Sequence, residues 1–343
     1  MPFQMIRNDI TKVKADIIVN TANPRPVVGS GTESAIYSAA GEELLLAERK
    51  KIGEIAVGKA AATPAFGLSA KYIIHTVGPS WEGGGHGERD ALRSCYGNSL
   101  ALAAELKAES IAFPLISTGV YGFPKDEALN IALSEIGKFL LMHDMTVILV
   151  VFDRKAFELS QDLIGKIDEY IDEHGVGIVR EAEYGVHAMN YRRRLEESRV
   201  EMARARSRKP AAPFADIEIE GKSLDEVLEG TGKSFRQRLF ELIDESGMDD
   251  VTVYKRANID RKVFSRIRCK ADYKPTKRTA VAFAIALRLD MPTMLDLLSR
   301  AGIAFSPDNR FDLIISYFVT NKIYDIFEIN TALFGYGEQL LGG

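Results

Sequence analysis

Two stretches of the chain place amides, a carboxylate and glycines at spacings suited to an anionic, nucleotide-like ligand. In the first, Ile17, Ile18 and Val19 form a short apolar, β-branched run that predicts a strand. The strand runs out in Asn20-Thr21-Ala22-Asn23, so two amides stand where a ligand would meet the end of an α/β sheet. A loop from Pro24 to Gly31 follows, with two prolines and with Gly29 and Gly31 on either side of Ser30. Thr32 and Glu33 then lead into a helix over Ser34–Ala40, closed by Gly41. A loop of this kind aims free N–H groups and a helix dipole at one point, which favours an anion. In the second stretch, the apolar strand Ser110–Leu115 gives way to Ser117-Thr118-Gly119-Val120-Tyr121-Gly122 and then a helix over Asp126–Met142. Gly119 and Gly122 let backbone N–H groups approach a diphosphate without a Cβ in the way.

The surrounding elements are those an open sheet needs, with its ligand outside the carboxyl ends of the strands. Strands are expected at Phe3–Ile6, Lys71–Pro79 and Met145–Val151, and helices at Glu42–Ile52, Arg89–Leu106 and Arg154–His174. His75, alone inside a strand, reads as a structural histidine. Cys95 shares a helix face with Leu92, Tyr96, Leu100 and Ala103 and reads as a small core residue. The glycine-rich run Trp81–Gly87 reads as a connector away from the site, with His86 exposed.

Composition narrows the class. With 343 residues, two domains are the natural expectation, and 46% apolar residues suffice for packed cores. A net charge of −4 predicts no partner by itself. Two distant cysteines, Cys95 and Cys269, argue for a reducing compartment. No His/Cys cluster has zinc-finger spacing, and neither metal nor cofactor is expected. Apolar runs such as Val147–Phe152 are too short to span a bilayer, and MPFQMIRND has no signal-peptide core. A soluble cytoplasmic protein without a membrane partner is expected.

The wording NTANPRPVVGSG before a small-residue helix resembles the first ligand loop of the macrodomain family, which binds ADP-ribose. GKAAATP…KYIIHTVGP and ISTGVYGFP are similar to that family's wording too, in the same order. The resemblance covers about half of the chain, Phe3 to Gly175, and implies a three-layer α/β/α sandwich with a mixed sheet over residues 1–176. It implies that Asp9 and the N–H of Ile10 hold adenine, that Phe152 stacks on it, and that Ser117 to Gly122 wrap the diphosphate. Tyr121 would lie near the distal ribose, beside Asn20, Gly29, Ser30 and Gly31. Asn23 would position the ribose hydroxyls, and Glu33, one methylene longer than the Asp of hydrolytic relatives, would serve as base; the alternative is a carboxylate that merely favours the helix dipole. Ser30 in place of glycine, and Arg25-Pro26 in the spacer, depart from the family pattern.

Residues 177–233 read as a charged linker with helical segments, including Tyr191–Lys209 and a short capped helix at Ser223–Leu228. Residues 234–343 read as a second, helical domain. Here DDVTVYKRANIDRKVFSRI (Asp249–Ile267), with helices following at Lys277–Leu289 and Met291–Ala301, resembles the helix-turn-helix of phage-repressor-type regulators, with the turn at Asn258. Tyr254 departs from the small residue usual there. Between Tyr254 and Arg278 stand ten Lys/Arg against two acids. Arg261, Lys262, Arg266, Arg268 and Lys270 would contact DNA phosphates; a protein partner is the alternative. The apolar tail Phe311–Phe334 would pack on this domain or in a homodimer seam. The expected function is recognition of ADP-ribose or ADP-ribosylated macromolecules with hydrolysis of the ADP-ribosyl bond. The alternative is a non-catalytic sensor coupled to a DNA-binding regulator.

Overall fold

A computed structural model describes residues 2–151, 161–174 and 233–342. Six strands form one mixed sheet: β1 (Phe3–Arg7), β2 (Ile17–Thr21), β3 (Ala60–Pro64), β4 (Tyr72–Thr76), β5 (Ser110–Pro114) and β6 (Thr146–Val151). Their order is β1-β6-β5-β2-β4-β3, parallel except for β3, which pairs antiparallel with β4. The central strands are apolar runs rather than alternating ones because helices cover both faces. Ile17, Ile18 and Val19 in β2 and Val147 through Val151 in β6 are all buried.

The helices on the sheet are α1 (Thr32–Ala40), α2 (Glu42–Ile52), α3 (Glu88–Glu105) and α4 (Lys125–Met142). One face of the sheet packs with Leu92, Tyr96 and Leu100 of α3 and Ala128, Ala132 and Ile136 of α4. The other packs with Ile36 and Tyr37 of α1 and Leu45 of α2. This is the expected three-layer α/β sandwich. Strand β3 was not anticipated: its alanines and terminal proline carry little β propensity, and its place at the edge of the sheet tolerates both. The linker expected at 177–233 lies outside the described residues apart from Lys233, as do its segments Tyr191–Lys209 and Ser223–Leu228.

The C-terminal part is helical: α6 (Phe235–Ser246), α7 (Asp250–Arg256), α8 (Arg261–Cys269), α9 (Lys277–Ala286), α10 (Met291–Ser299), α11 (Arg310–Thr320) and α12 (Ile326–Gly335). Ser234, Asp249, Asp260, Thr276, Asp290, Asn309 and Asp325 each cap the helix that follows with a side-chain oxygen. Helix α9, all but its first two residues buried, runs through the core. Tyr254 fits without disrupting α7 because its ring packs against Phe264, 5.5 Å between centroids. Helix α5 (Gln161–His174), expected to close the first domain, buries Ile167 and Ile171 in the helical core, and Tyr170 packs on Tyr317.

The tail packs on its own domain and also reaches the sheet. Phe327 meets Phe3 at 5.2 Å between centroids, and the Arg7 guanidinium lies over Phe334. The turn between α7 and α8 completes the joint. Asn258, at φ 53°, turns its amide onto the edge strand. Its Oδ1 accepts from Phe3 N–H at 2.9 Å, and its Nδ2 donates to the Phe3 carbonyl at 3.0 Å and the Leu341 carbonyl at 3.3 Å. One side chain thus satisfies both backbone groups of a buried edge residue. Asn258→Ala should lower stability by about 1–3 kcal/mol, because the Phe3 N–H is left buried and unpaired. Denaturant midpoints would show this; an unchanged midpoint would mean that the contact does not join the two parts.

Candidate functional site

The carboxyl ends of β2 and β5 bring the two glycine loops to the same end of the sheet, on adjacent parallel strands. In the first loop Glu33 is the centre. It sits in the first turn of α1, 6% exposed, with its carboxylate turned back under the loop. Oε1 accepts from Asn23 N–H at 3.1 Å and lies 3.5 Å from Asn20 Nδ2; Oε2 accepts from Gly29 N–H at 3.0 Å. A Cβ at residue 29 would meet Oε2 as the carboxylate lies, so glycine lets Glu33 approach this closely without shifting. Burial raises the Glu33 carboxyl above its usual value, and those donors together with the charge of Arg49 oppose the rise.

Asn23 Oδ1 accepts from Arg25 N–H at 3.1 Å. This fixes the amide and leaves its NH2 without an acceptor among the described residues, a donor free for a hydroxyl. Gly31, at φ 65°, opens α1 with no side-chain cap, so the first N–H groups of the helix remain free for an anion. Ser30 and Arg25 are both exposed, so neither fills the loop's interior.

Behind the loop runs a buried polar chain. Asn20 Nδ2 lies 3.2 Å from His75 Nδ1, and His75 Nε2 lies 2.9 Å from Thr63 Oγ1. Donation from Asn20 makes Nδ1 the acceptor and places the imidazole proton on Nε2, facing Thr63. Burial drives the His75 pKa down to about 3, so the ring is neutral. This is the structural role expected of it.

The second loop is a nest of N–H groups. Ser117, buried at φ 64°, turns the chain, and the N–H groups of Thr118, Gly119, Val120 and Tyr121 have no acceptor among the described residues. Gly122 N–H closes the loop onto the Gly119 carbonyl at 3.0 Å, and Val120 at the tip is 85% exposed. Tyr121 is half-buried. Asn20 Oδ1 and Ser117 Oγ are buried without a hydrogen-bond partner among the described residues.

The run Trp81–Gly87 is more than a connector. Trp81 N–H donates to the Tyr121 carbonyl at 2.8 Å, and its ring packs on Phe123 at 4.6 Å. The run is therefore part of the second loop's support. Glu88 gathers it by accepting from the N–H groups of Glu82, Gly84 and His86.

Asp9 caps the short 3-10 turn Ile10–Lys12, with Oδ1 accepting from Thr11 N–H and Oγ1 at 3.0 and 2.8 Å. The Thr11 hydroxyl, more than the N–H, holds its carboxyl below the usual range. Ile10 is buried at the turn. Phe152 lies outside the described residues. Arg49 of α2, which the sequence analysis does not single out, donates to the carbonyls of Asn23 and Pro24 at 3.2 and 3.1 Å and also to that of Gly53. Its signal was positional: Leu45, Arg49 and Ile52 share the i, i+4, i+7 stripe of α2.

In the helical part, Arg261, Lys262, Arg266, Arg268 and Lys270 are all exposed. Arg268 pairs with Asp250 and lies over the Phe240 ring. Arg261 and Lys262 line a cleft of 1460 Å³ that also takes in Glu109, Asp144 and Tyr324. No residue of the two glycine loops lines that cleft.

A family model described as Macro domain matches residues 19–132. A Methanosarcina mazei protein named Macro domain-containing protein is 43% identical over 166 residues, covering 48% of this chain and 88% of the relative. The chain belongs to the macrodomain family. Another macrodomain relative, named O-acetyl-ADP-ribose deacetylase, from Cronobacter sakazakii, is 43% identical over 170 residues, covering 48% of this chain and 94% of its own length. Among solved structures, an Oceanobacillus iheyensis macrodomain with ADP is 38% identical, covering 48% of this chain and 90% of that one, at a TM-score of 0.43.

A neutral, buried His75 has a measurable consequence. Its folded pKa lies below the ordinary 6.5, so the unfolded chain binds more protons between those values, and stability falls as pH drops through 6.5 towards about 3. Imidazole NMR signals of His75 should show no titration between about pH 5 and 8; a midpoint near 6.5 would contradict this burial.

Proposed function

We propose that the macrodomain binds ADP-ribose or ADP-ribosylated groups between its two glycine loops and hydrolyses a bond at the distal ribose. The observation that carries this reading is the pairing of a donor-rich loop, Thr118 to Tyr121, with a second loop that presents the Asn23 amide in front of a buried carboxylate. The first suits a diphosphate and the second suits ribose hydroxyls. Relatives named O-acetyl-ADP-ribose deacetylase, at 43–44% identity, favour an ester or glycosidic bond at that ribose as the target. In this reading Asp9 and Ile10 meet adenine, and Tyr121 and Ser30 flank the ribose.

In this mechanism Asn23 holds the ribose hydroxyls so that water meets the scissile carbon in line. Water adds, the bond to the leaving oxygen breaks, and that oxygen takes a proton. Glu33 is the ionisable group nearest to this step. Its raised pKa brings it closer to the range where a carboxylate is an effective base. Its hydrogen bonds to the loop also make it the support of Asn23.

Calorimetric titration should give micromolar-range affinity for ADP-ribose and weaker binding of AMP; no binding would overturn the reading. Asn23→Ala should abolish turnover with the fold intact, and retained turnover would refute its role. Turnover should rise with pH through a midpoint above the usual 4.5 of a glutamate, and Glu33→Gln should remove that limb. A limb that survives in Glu33→Gln belongs to another group.

The row of exposed cations on α8 favours a second activity. In this reading helices α7 and α8, joined through the left-handed Asn258, serve as a helix-turn-helix, and Arg261, Lys262, Arg266 and Lys270 offer charges to phosphates. In this reading the protein is a cytoplasmic ADP-ribose sensor or hydrolase that also contacts DNA. Arg266→Glu should weaken DNA binding, and affinity should fall steeply with salt; a salt-insensitive protein partner would point to an interaction domain instead.

A further inference from the structure

The ribose-side loop is gripped from two directions, and only one of the two grips involves a residue assigned to the site. Glu33 takes the N–H groups of Asn23 and Gly29 from one side. From the other, the Arg49 guanidinium takes the carbonyls of Asn23 and Pro24. Asn23 is thus held at its N–H and at its carbonyl by two opposite charges. The same guanidinium donates to the Gly53 carbonyl just past the end of α2. The Pro24 carbonyl also accepts from Ile55 N–H at 3.0 Å. Loop, helix end and the segment leading to β3 are thereby joined around one cation.

Arg49 is 1% exposed, although its neighbours Lys50 and Lys51 face outward. A buried guanidinium is costly unless its donors are used. No carboxylate lies within ion-pair distance of Arg49 among the described residues, so carbonyl oxygens meet its donors and Glu33 balances its charge from across the loop. A leucine would serve a purely hydrophobic contact there at less cost. The planar fork of arginine reaches several carbonyls at once, which the point charge of lysine does not.

We infer that Arg49 is a positioning residue: by fixing the Asn23 and Pro24 peptides it sets the direction of the Asn23 amide and so the recognition of the distal ribose. This inference rests on the ADP-ribose reading and adds a residue that touches no ligand.

The test uses the full chain and two ligands, ADP-ribose and ADP, which differ by the distal ribose. Wild-type protein should prefer ADP-ribose. In Arg49→Met, ADP-ribose affinity should fall about tenfold or more while ADP affinity changes less than about twofold, so the preference collapses. Arg49→Lys should restore part of it. A general loss of structure would weaken both ligands together, and that parallel loss would overturn the inference, as would an unchanged preference. If Arg49→Met does not fold by circular dichroism, Arg49→Lys decides alone: a selective loss of ADP-ribose affinity supports the inference and a wild-type ratio overturns it. Wild-type protein that binds neither ligand would overturn the ADP-ribose reading and this inference together; wild-type binding with an unaltered ratio in the variants would overturn this inference only.

Discussion

The site depends on one residue, Asn23, held at its N–H and at its carbonyl by opposite buried charges. Glu33 accepts the Asn23 N–H and Arg49 donates to the Asn23 carbonyl, and neither group is open to solvent. Each charge alone would be expensive in that interior. Together, with contacts that meet the N–H groups of Asn23 and Gly29 and the carbonyls of Asn23 and Pro24, they turn that expense into rigidity. Gly29 suits the same arrangement, since a Cβ there would push Oε2 from its place. So does the neutral His75, whose Nδ1 faces the Asn20 amide and whose protonation would put a second cation near Arg49.

The second loop is shaped from outside instead. Ser117 turns the chain in the left-handed region, Trp81 braces Tyr121 from outside, and Glu88 folds the run that carries Trp81. One loop is pinned so that an amide is aimed. The other is shaped so that its N–H groups converge. At the opposite end of β1 from Asp9, the Asn258 amide ties the helical part to Phe3, six residues before Asp9. The edge strand is therefore shared: its start belongs to the joint and its end to the site.

Much of this was legible because it is local. Strand runs such as Ile17–Val19, the glycine pairs and the Gly41 stop are written in consecutive residues, and their elements fall where expected. Asn258 was legible for the same reason, since few residues other than glycine tolerate φ 53°. What was not legible depends on partners distant in sequence. Arg49 stands in a charged helix, AERKKI, where its place on the Leu45–Ile52 stripe separates it from two solvated cations but nothing local names the carbonyls it meets. Trp81 supports a residue forty positions away. Strand β3 has weak intrinsic preference and exists because β4 offers it an edge. Helix α5 is amphipathic on any reading, and its choice of the helical core over the sheet is a tertiary matter.

The Asn23–Gly31 loop is already fixed before any ligand arrives, and amide hydrogen exchange of the free protein tests this. The N–H groups of Asn23 and Gly29, bound to the buried Glu33 carboxylate, should exchange far more slowly at neutral pH than that of exposed Ser30 in the same loop. Uniformly fast exchange across Asn23 to Gly31 would show a loop that orders only on binding, and would contradict the account.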